Sequence, residues 1–215
     1  HEIKTPVAAI QALAETVIDG MAPTAEQRQR YLGNIVSESK HIDRLIHDLL
    51  DLAQLDAGEL SIIREPIALT EFLPAELDKH SSLAATKQLT FKIEQSAPAP
   101  PVLADPDRLS QVLANLISNA IRHSPPSTPI IIGLKSLANK VQISVQDFGS
   151  GIPAAELDHI WDRFYRVDKS RARRDGGTGL GLAITKKLVQ AMDGTIAVDS
   201  QPGKTVFFFT LPAAK

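Results

Sequence analysis

A run of alternating glycines, Gly176-Gly177-Thr178-Gly179-Leu180-Gly181-Leu182, leads straight into a helical pattern from Ala183 to Met192. A loop of this kind entering a helix presents unpaired backbone N–H groups to an anion, which suits phosphate; an ordinary tight turn uses the same residues. The run is not a dinucleotide fingerprint. Counted from Gly179 the sixth position of G-x-G-x-x-G is Ile184, and counted from Gly177 it is Leu182. Gly203-Lys204-Thr205 fails as a P-loop because the upstream glycine would fall on Val198. Asp147-Phe148-Gly149 imitates the metal-binding triplet of Ser/Thr/Tyr protein kinases, yet no H-R-D loop or V-A-I-K strand precedes it.

Three further groups carry chemistry. Asp147-x-Gly149-x-Gly151-Ile152-Pro153 closes a β-like run with a carboxylate and two glycines. That arrangement lets a flat ligand approach the backbone, and a base with an exocyclic amine suits it; Asp and Gly are equally ordinary turn residues. Asn115 and Asn119 stand at i and i+4 on one helix face, followed by Arg122 and His123. Neutral amides beside a cation suit a magnesium-bound polyphosphate, because Mg²⁺ takes few protein oxygens. A purely structural role remains open for one of the amides, although buried amides are costly without partners. Finally, His1-Glu2-Ile3-Lys4-Thr5-Pro6 opens the chain. His1 lies two residues before the apolar stripe at Ile3 and Val7, about 200° around the helix, and so faces solvent. An exposed histidine is either a reactive group or nothing at all.

The elements that must hold these groups differ between the two parts of the chain. Ile3, Val7, Ile10, Ala14 and Val17 form a helical stripe that stops at Asp19-Gly20. A second helix begins at Thr24, with Gln27 three residues on completing a capping pattern. Leu32, Ile35, Ile42, Leu45, Leu49, Leu52 and Leu55 carry its stripe to Asp56-Ala57-Gly58, where glycine supplies the stop. Two such helices make an antiparallel hairpin with an uncovered apolar face, for which a dimeric four-helix bundle is the expected outcome. Packing of the hairpin on its own C-terminal domain is the alternative. Beyond residue 60 come β-like runs at Leu60–Arg64, Leu89–Ile93, Ile130–Leu134, Val141–Gln146, Thr195–Asp199 and Thr205–Leu211, with helical stretches between them. The expected class is therefore α+β, a helical hairpin over 1–57 followed by an α/β sandwich over 61–215.

Composition narrows the classes. A length of 215 residues fits one large domain or a large and a small one, and two is the working count. Lys plus Arg is 23 and Asp plus Glu is 25, a net charge of −2, which argues against a nucleic-acid-coating surface. With no cysteine there is neither a disulfide framework nor a thiolate metal site, and a cytosolic setting fits. Apolar stretches such as Val206–Phe209 fall far short of a membrane span, so no membrane contact is expected of this segment. Opening at His1 without an initiator Met, it reads as a fragment of something longer.

Taken together, the motifs resemble the cytoplasmic core of a sensor histidine kinase of two-component signalling, along essentially the whole chain. His1–Pro6 resembles the family's phospho-acceptor box, Asn115–Pro125 its asparagine box and Asp147–Pro153 its first glycine box. Phe164-Tyr165-Arg166 resembles its phenylalanine box and Gly177–Leu182 its second glycine box. Five boxes in the right order are specific where any one is weak. The resemblance implies a homodimerising phosphotransfer hairpin and a gyrase-like ATP-binding domain, using ATP and Mg²⁺ and serving the receiver domain of a response regulator. It also implies a parent protein anchored in a bacterial membrane, with this portion in the cytoplasm.

Carried over by position, the resemblance makes His1 the nucleophile on the γ-phosphate and Glu2 the base for its ring proton. Thr5 positions a water that dephosphorylates the partner. Asn119 binds Mg²⁺ with Asn115 beside it, and Arg122 and His123 meet phosphates. Asp147, with Gly149 and Gly151, receives the adenine amine. Arg171 and Arg173 supply cations to the transferring phosphate, and Gly177, Thr178, Gly179, Leu180 and Gly181 cradle the phosphates. Thr205 falls on the adenine side, although Gly203-Lys204-Thr205 is one residue short of the family's Gly-x-Gly-Thr. The rival class is a gyrase-like ATP-hydrolysing machine, which resembles only the second domain and places a Glu where Asn115 stands to activate water. A third reading is a kinase-dead nucleotide-binding scaffold, and no missing box supports it.

Overall fold

The computed structural model describes residues 3–95, 97–167 and 178–214. Helix α1 (Lys4–Ile18) turns at Asp19-Gly20 into α2 (Ala25–Ala57). The start of α2 is set locally: Thr24 Oγ1 accepts from Gln27 N at 3.1 Å while Gln27 Oε1 accepts from Thr24 N at 3.3 Å. Its end is equally local, since Gly58 takes a left-handed φ of 68° and its N–H turns back to Leu55 O.

The apolar stripe of the hairpin has two fates. Leu45 and Leu52 are buried, and Leu49 and Leu55 pack against the same core as the second unit. Ile3, Val7 and Leu32 remain exposed, as do Val36, Ile46 and Leu50 outside the stripe. The alternative in which the hairpin packs on its own C-terminal domain thus describes the last three turns of α2, while the upper hairpin keeps an uncovered apolar face.

The second unit is a mixed sheet backed by helices. Its elements are β1 (Glu65–Ile67), α3 (Leu69–Asp78), α4 (Ser81–Ala85), β2 (Thr90–Gln95), β3 (Val102–Ala104), α5 (Pro106–His123), β4 (Pro129–Ser136) and β5 (Lys140–Asp147). Two short 3₁₀ turns, Ala154–Glu156 and His159–Trp161, precede α6 (Gly181–Ala191), β6 (Thr195–Gln201) and β7 (Lys204–Pro212). The main sheet runs β2-β4-β5-β7-β6, with β2 parallel to β4 and the other pairs antiparallel.

One face of that sheet is apolar by strict alternation: Ile130, Ile132 and Leu134 on β4, Val141, Ile143 and Val145 on β5, Phe207, Phe209 and Leu211 on β7. Onto it α5 lays Leu109, Val112, Leu113, Leu116 and Ile117, and α6 lays Ile184, Leu188 and Val189. The alternation continues past the last apolar residue at one edge of the sandwich. There the next inward positions are Asp147 and Thr205, which are cross-strand partners. A carboxylate and a hydroxyl therefore finish two otherwise greasy rows.

The expected strand at Leu60–Arg64 does not form; the strand begins at Glu65 and pairs with β3, which the proline-rich approach had hidden. Contacts other than strand pairing hold the last two residues of the 60–64 run. Ile63 N donates to Asp105 Oδ2 at 2.9 Å, and the Arg64 guanidinium reaches Ala191 O at 2.8 Å and the Asp193 carboxylate. No helix among the described residues is long and apolar enough to cross a membrane.

Candidate functional site

At the edge of the sandwich Asp147 is buried, and one of its oxygens accepts from Gly149 N at 2.8 Å. The other oxygen has no partner among the described residues. Burial pushes this carboxyl up to about 6, against the pull of the Gly149 N–H. Opposite it, buried Thr205 shares a 2.8 Å hydrogen bond with Ser200 Oγ, which in turn accepts from Ile152 N at 2.8 Å. The loop 148–152 is thereby pinned to the β6–β7 end, and the Gly203 N–H to Gly149 O bond of 2.9 Å adds to it.

Gly149 and Gly151 also serve the packing of the loop itself. A Cβ on Gly149 would lie 2.6 Å from His123 O, and one on Gly151 2.6 Å from Gln201 O. The missing side chains let the loop lie against the protein's own backbone. Gly151 also requires its left-handed φ of 80°.

On α5 the two asparagines face the same side but do different things. Asn115 Nδ2 donates to Gly181 O at 3.2 Å and to Thr185 Oγ1 at 3.3 Å, tying α5 to the first turn of α6. Asn119, one turn on and half-buried, makes no side-chain hydrogen bond among the described residues. Its amide oxygen is thus available to a cation. Arg122 is half-buried and His123 exposed at the same end of the helix, both engaged in interactions. Among the described residues no group of three or more His, Cys, Asp or Glu side chains is arranged to hold a metal. That donor set suits Mg²⁺ shared between one amide and phosphate oxygens.

At the other end lies the start of α6. Leu180 closes the first helical bond by accepting from Ile184 N at 2.9 Å, which leaves the N–H groups of Gly181, Leu182 and Ala183 ahead of the ladder. No side chain caps this terminus. Gly179 adopts φ 72° and packs against the backbone of Phe164, itself at φ 62°, and Phe164 N donates to Gly179 O at 2.9 Å. The Thr178 hydroxyl donates to Asp48 Oδ2 at 2.8 Å and accepts from Leu180 N at 3.2 Å.

That last bond belongs to a set the sequence reading missed. Asp51 on α2 accepts from Gln111 Nε2 at 2.6 Å and from the Arg108 guanidinium at 3.4 Å. Asp56 pairs with Lys187 Nζ at 2.6 Å and with Arg163. The two cations hold the Asp56 carboxyl below its usual range, whereas burial raises that of Asp48. The available signal was the spacing of 48, 51 and 56 on one broad face of α2.

On α1, Thr5 is exposed and makes no side-chain hydrogen bond among the described residues, unlike Thr16, which back-bonds to Ala12 O at 2.7 Å. His1, Glu2, Arg171, Arg173 and Gly177 lie outside the described residues.

Comparison with known proteins agrees with this layout. Residues 104–215 match the family model of the histidine kinase-, DNA gyrase B-, and HSP90-like ATPases, and residues 1–58 match the His kinase A (phospho-acceptor) domain. The sensor histidine kinase WalK of Bacillus subtilis is 36% identical over 217 residues, an alignment covering 99% of this chain and 35% of that protein. The chain thus spans about a third of the length of that relative. Among solved structures, the histidine kinase AdeS of Acinetobacter baumannii shares the fold with a TM-score of 0.80 at 24% identity, over 100% of this chain and 98% of that one. Full-length ShkA in complex with AMPPNP superposes with a TM-score of 0.77 at 28% identity, over 98% of this chain and 46% of that one. The chain belongs to the sensor histidine kinases of two-component systems.

Proposed function

We propose that this chain transfers the γ-phosphoryl group of ATP to His1 and passes it on to an aspartate of a response-regulator receiver domain. The observation that carries the reading is Asp147, a buried carboxylate with one oxygen unpartnered among the described residues, at the end of a strand of an ATPase-type sandwich, in a chain with a phospho-acceptor hairpin. An acceptor there takes the exocyclic amine of adenine, with Thr205 on the same side of the sheet. Asn119, whose amide has no hydrogen-bond partner among the described residues, holds Mg²⁺, and Asn115 keeps α5 and α6 at the spacing the polyphosphate needs. The bound Mg²⁺ supplies neutralisation of phosphate charge. Arg122, His123, Arg171 and Arg173 add cations to the phosphates, and Gly177 with the backbone from Gly179 to Gly181 cradles them.

Transfer is then a matter of positioning and charge. A His1 ring nitrogen forms a bond to the γ-phosphorus as the bond to the ADP oxygen breaks, and Glu2 takes the ring proton. The Thr5 hydroxyl, exposed on the first described turn of α1, orients a water for hydrolysis of the regulator's aspartyl phosphate, which makes the protein bifunctional. The uncovered face of Ile3, Val7, Leu32 and Val36 supports a homodimer through a four-helix bundle. We place the unit boundary between 57 and 61, with the hairpin at 1–57 and the ATP-binding unit at 61–215. The parent is a membrane-anchored sensor whose core faces the cytoplasm.

Incubation with γ-labelled ATP and Mg²⁺ tests the reading. An acid-labile, base-stable label that His1→Gln abolishes is expected. A label that survives in His1→Gln, or that proves base-labile, overturns it.

A further inference from the structure

Asp48 stands on the hairpin, 130 positions from Thr178, which precedes the anion-binding turn of α6. Its carboxylate accepts the Thr178 hydroxyl at 2.8 Å, and the same hydroxyl oxygen accepts from Leu180 N at 3.2 Å. Thr178 is thus held from both sides: its proton is fixed toward α2 and its lone pair toward the start of α6. The anchor sits in a firm setting. Further along the helix Asp51 engages α5 and Asp56 engages α6, and Leu45 and Leu52, before and after Asp48, are buried. Asp48 itself is half-buried, so its bond is less screened than a surface contact.

We propose that Asp48 is a positioning residue for the nucleotide: acting through Thr178, it holds the Thr178–Gly181 turn in the conformation that receives the phosphates. The inference rests on the reading of this site as an adenine-nucleotide site. A turn of glycines samples many conformations, and apparent affinity falls with the fraction of molecules in the competent one. The hairpin, which carries the acceptor histidine, thereby reaches into the donor site of the same chain and conditions how well the nucleotide is held. Asp48 touches neither substrate nor reacting atoms. Its effect belongs on nucleotide affinity and not on the rate of transfer from bound ATP.

The test is titration of the whole chain with ADP and with a non-hydrolysable ATP analogue, each with Mg²⁺, alongside single-turnover transfer from saturating ATP. Asp48→Ala is expected to weaken nucleotide binding on the order of tenfold, the scale of one lost charge-assisted hydrogen bond, while the saturated rate stays within about twofold. Asp48→Asn, which keeps an acceptor oxygen, loses less. In a Thr178→Val background, Asp48→Ala adds nothing, because the link is already cut. Asp43→Ala, an exposed carboxylate one turn away that faces His47, binds like the parent. Unchanged or tighter binding in Asp48→Ala, or additive losses in the double variant, overturns the inference while leaving the nucleotide site standing. A parent chain that binds no adenine nucleotide overturns the site reading and this inference with it.

Discussion

The two ends of the proposed nucleotide site are built on different physical plans. The base end is made by the sheet: Asp147 and Thr205 are register partners, and every link around them is short and internal, from Gly149 N to Asp147 and from Ile152 N through Ser200 to Thr205. The phosphate end is made by a turn and a helix start, with left-handed Gly179 against left-handed Phe164 and with a hydroxyl held by a residue of another unit. A sheet edge is preformed and pays its costs on folding. A turn of glycines must be told where to sit, and here the instruction comes from α2.

The largest expected effect lies at the phosphate end and falls on chemistry. Asn119→Ala removes the only unpaired amide on that face of α5 among the described residues and leaves the helix intact. Autophosphorylation from Mg²⁺·ATP should fall by at least on the order of a hundredfold, the cost of losing one charge-stabilising group, while ADP binding in the absence of Mg²⁺ survives. Asp147→Ala tests the opposite end. It should weaken adenine-nucleotide binding roughly 10- to 100-fold, as loss of a charge-assisted buried hydrogen bond does, with the rate from saturating ATP little altered. If both variants moved affinity and rate together, the two ends would not be separable.

Titration of Asp147 sharpens the contrast. Its carboxyl is raised to about 6 in the free protein, so it becomes an ionised acceptor only above that point. Affinity for ADP should therefore fall as pH drops below about 6, approaching tenfold per unit, and Asp147→Asn should flatten that slope. The stability sign is opposite. A raised acid binds its proton more tightly in the folded state, a contribution fully present below the unfolded value of 3.8 and lost as pH rises through about 6. Asp147→Asn, which still accepts from Gly149 N, should then stabilise the free protein at pH 8 by about 1 to 3 kcal/mol in urea unfolding.

What could be read in the sequence follows the range of the force responsible. The ends of α2 were legible because Thr24, Gln27 and Gly58 act within one turn of the chain. The inward alternation of β5 was legible too, and with it Asp147 as a carboxylate at the end of a strand. β1 and β3 were not, being three-residue strands whose pairing is set by long-range neighbours. The need for Gly149 and Gly151 was visible but its reason was not, since His123 O and Gln201 O come from distant segments. Asp48, Asp51 and Asp56 were not picked out because periodicity sees only their own helix; what they touch lies 57 to 131 residues away.

Three left-handed glycines compare the stiffness of the two ends directly, and the smallest effect of all belongs to one of them. Gly203, at φ 84°, has nothing within 4 Å of a built Cβ, so Gly203→Ala costs conformational strain alone, about 1 kcal/mol. Gly151, at φ 80°, adds to the same strain a Cβ 2.6 Å from Gln201 O and 2.7 Å from its carbonyl carbon. That neighbour is the backbone of β6, fixed in the ladder to β7, and it cannot retreat without breaking pairing. Gly151→Ala should therefore cost about 2 to 4 kcal/mol. Gly179, at φ 72°, meets the Phe164 backbone at 2.9 Å, but Phe164 lies outside the helices and strands and is held by no strand ladder. Gly179→Ala should fall between the other two in urea unfolding, nearer Gly203→Ala, while weakening ADP binding more than Gly203→Ala does. A stability loss for Gly179→Ala equal to that of Gly151→Ala would show that the phosphate end is as rigid as the sheet edge, and that it needs no hold from α2.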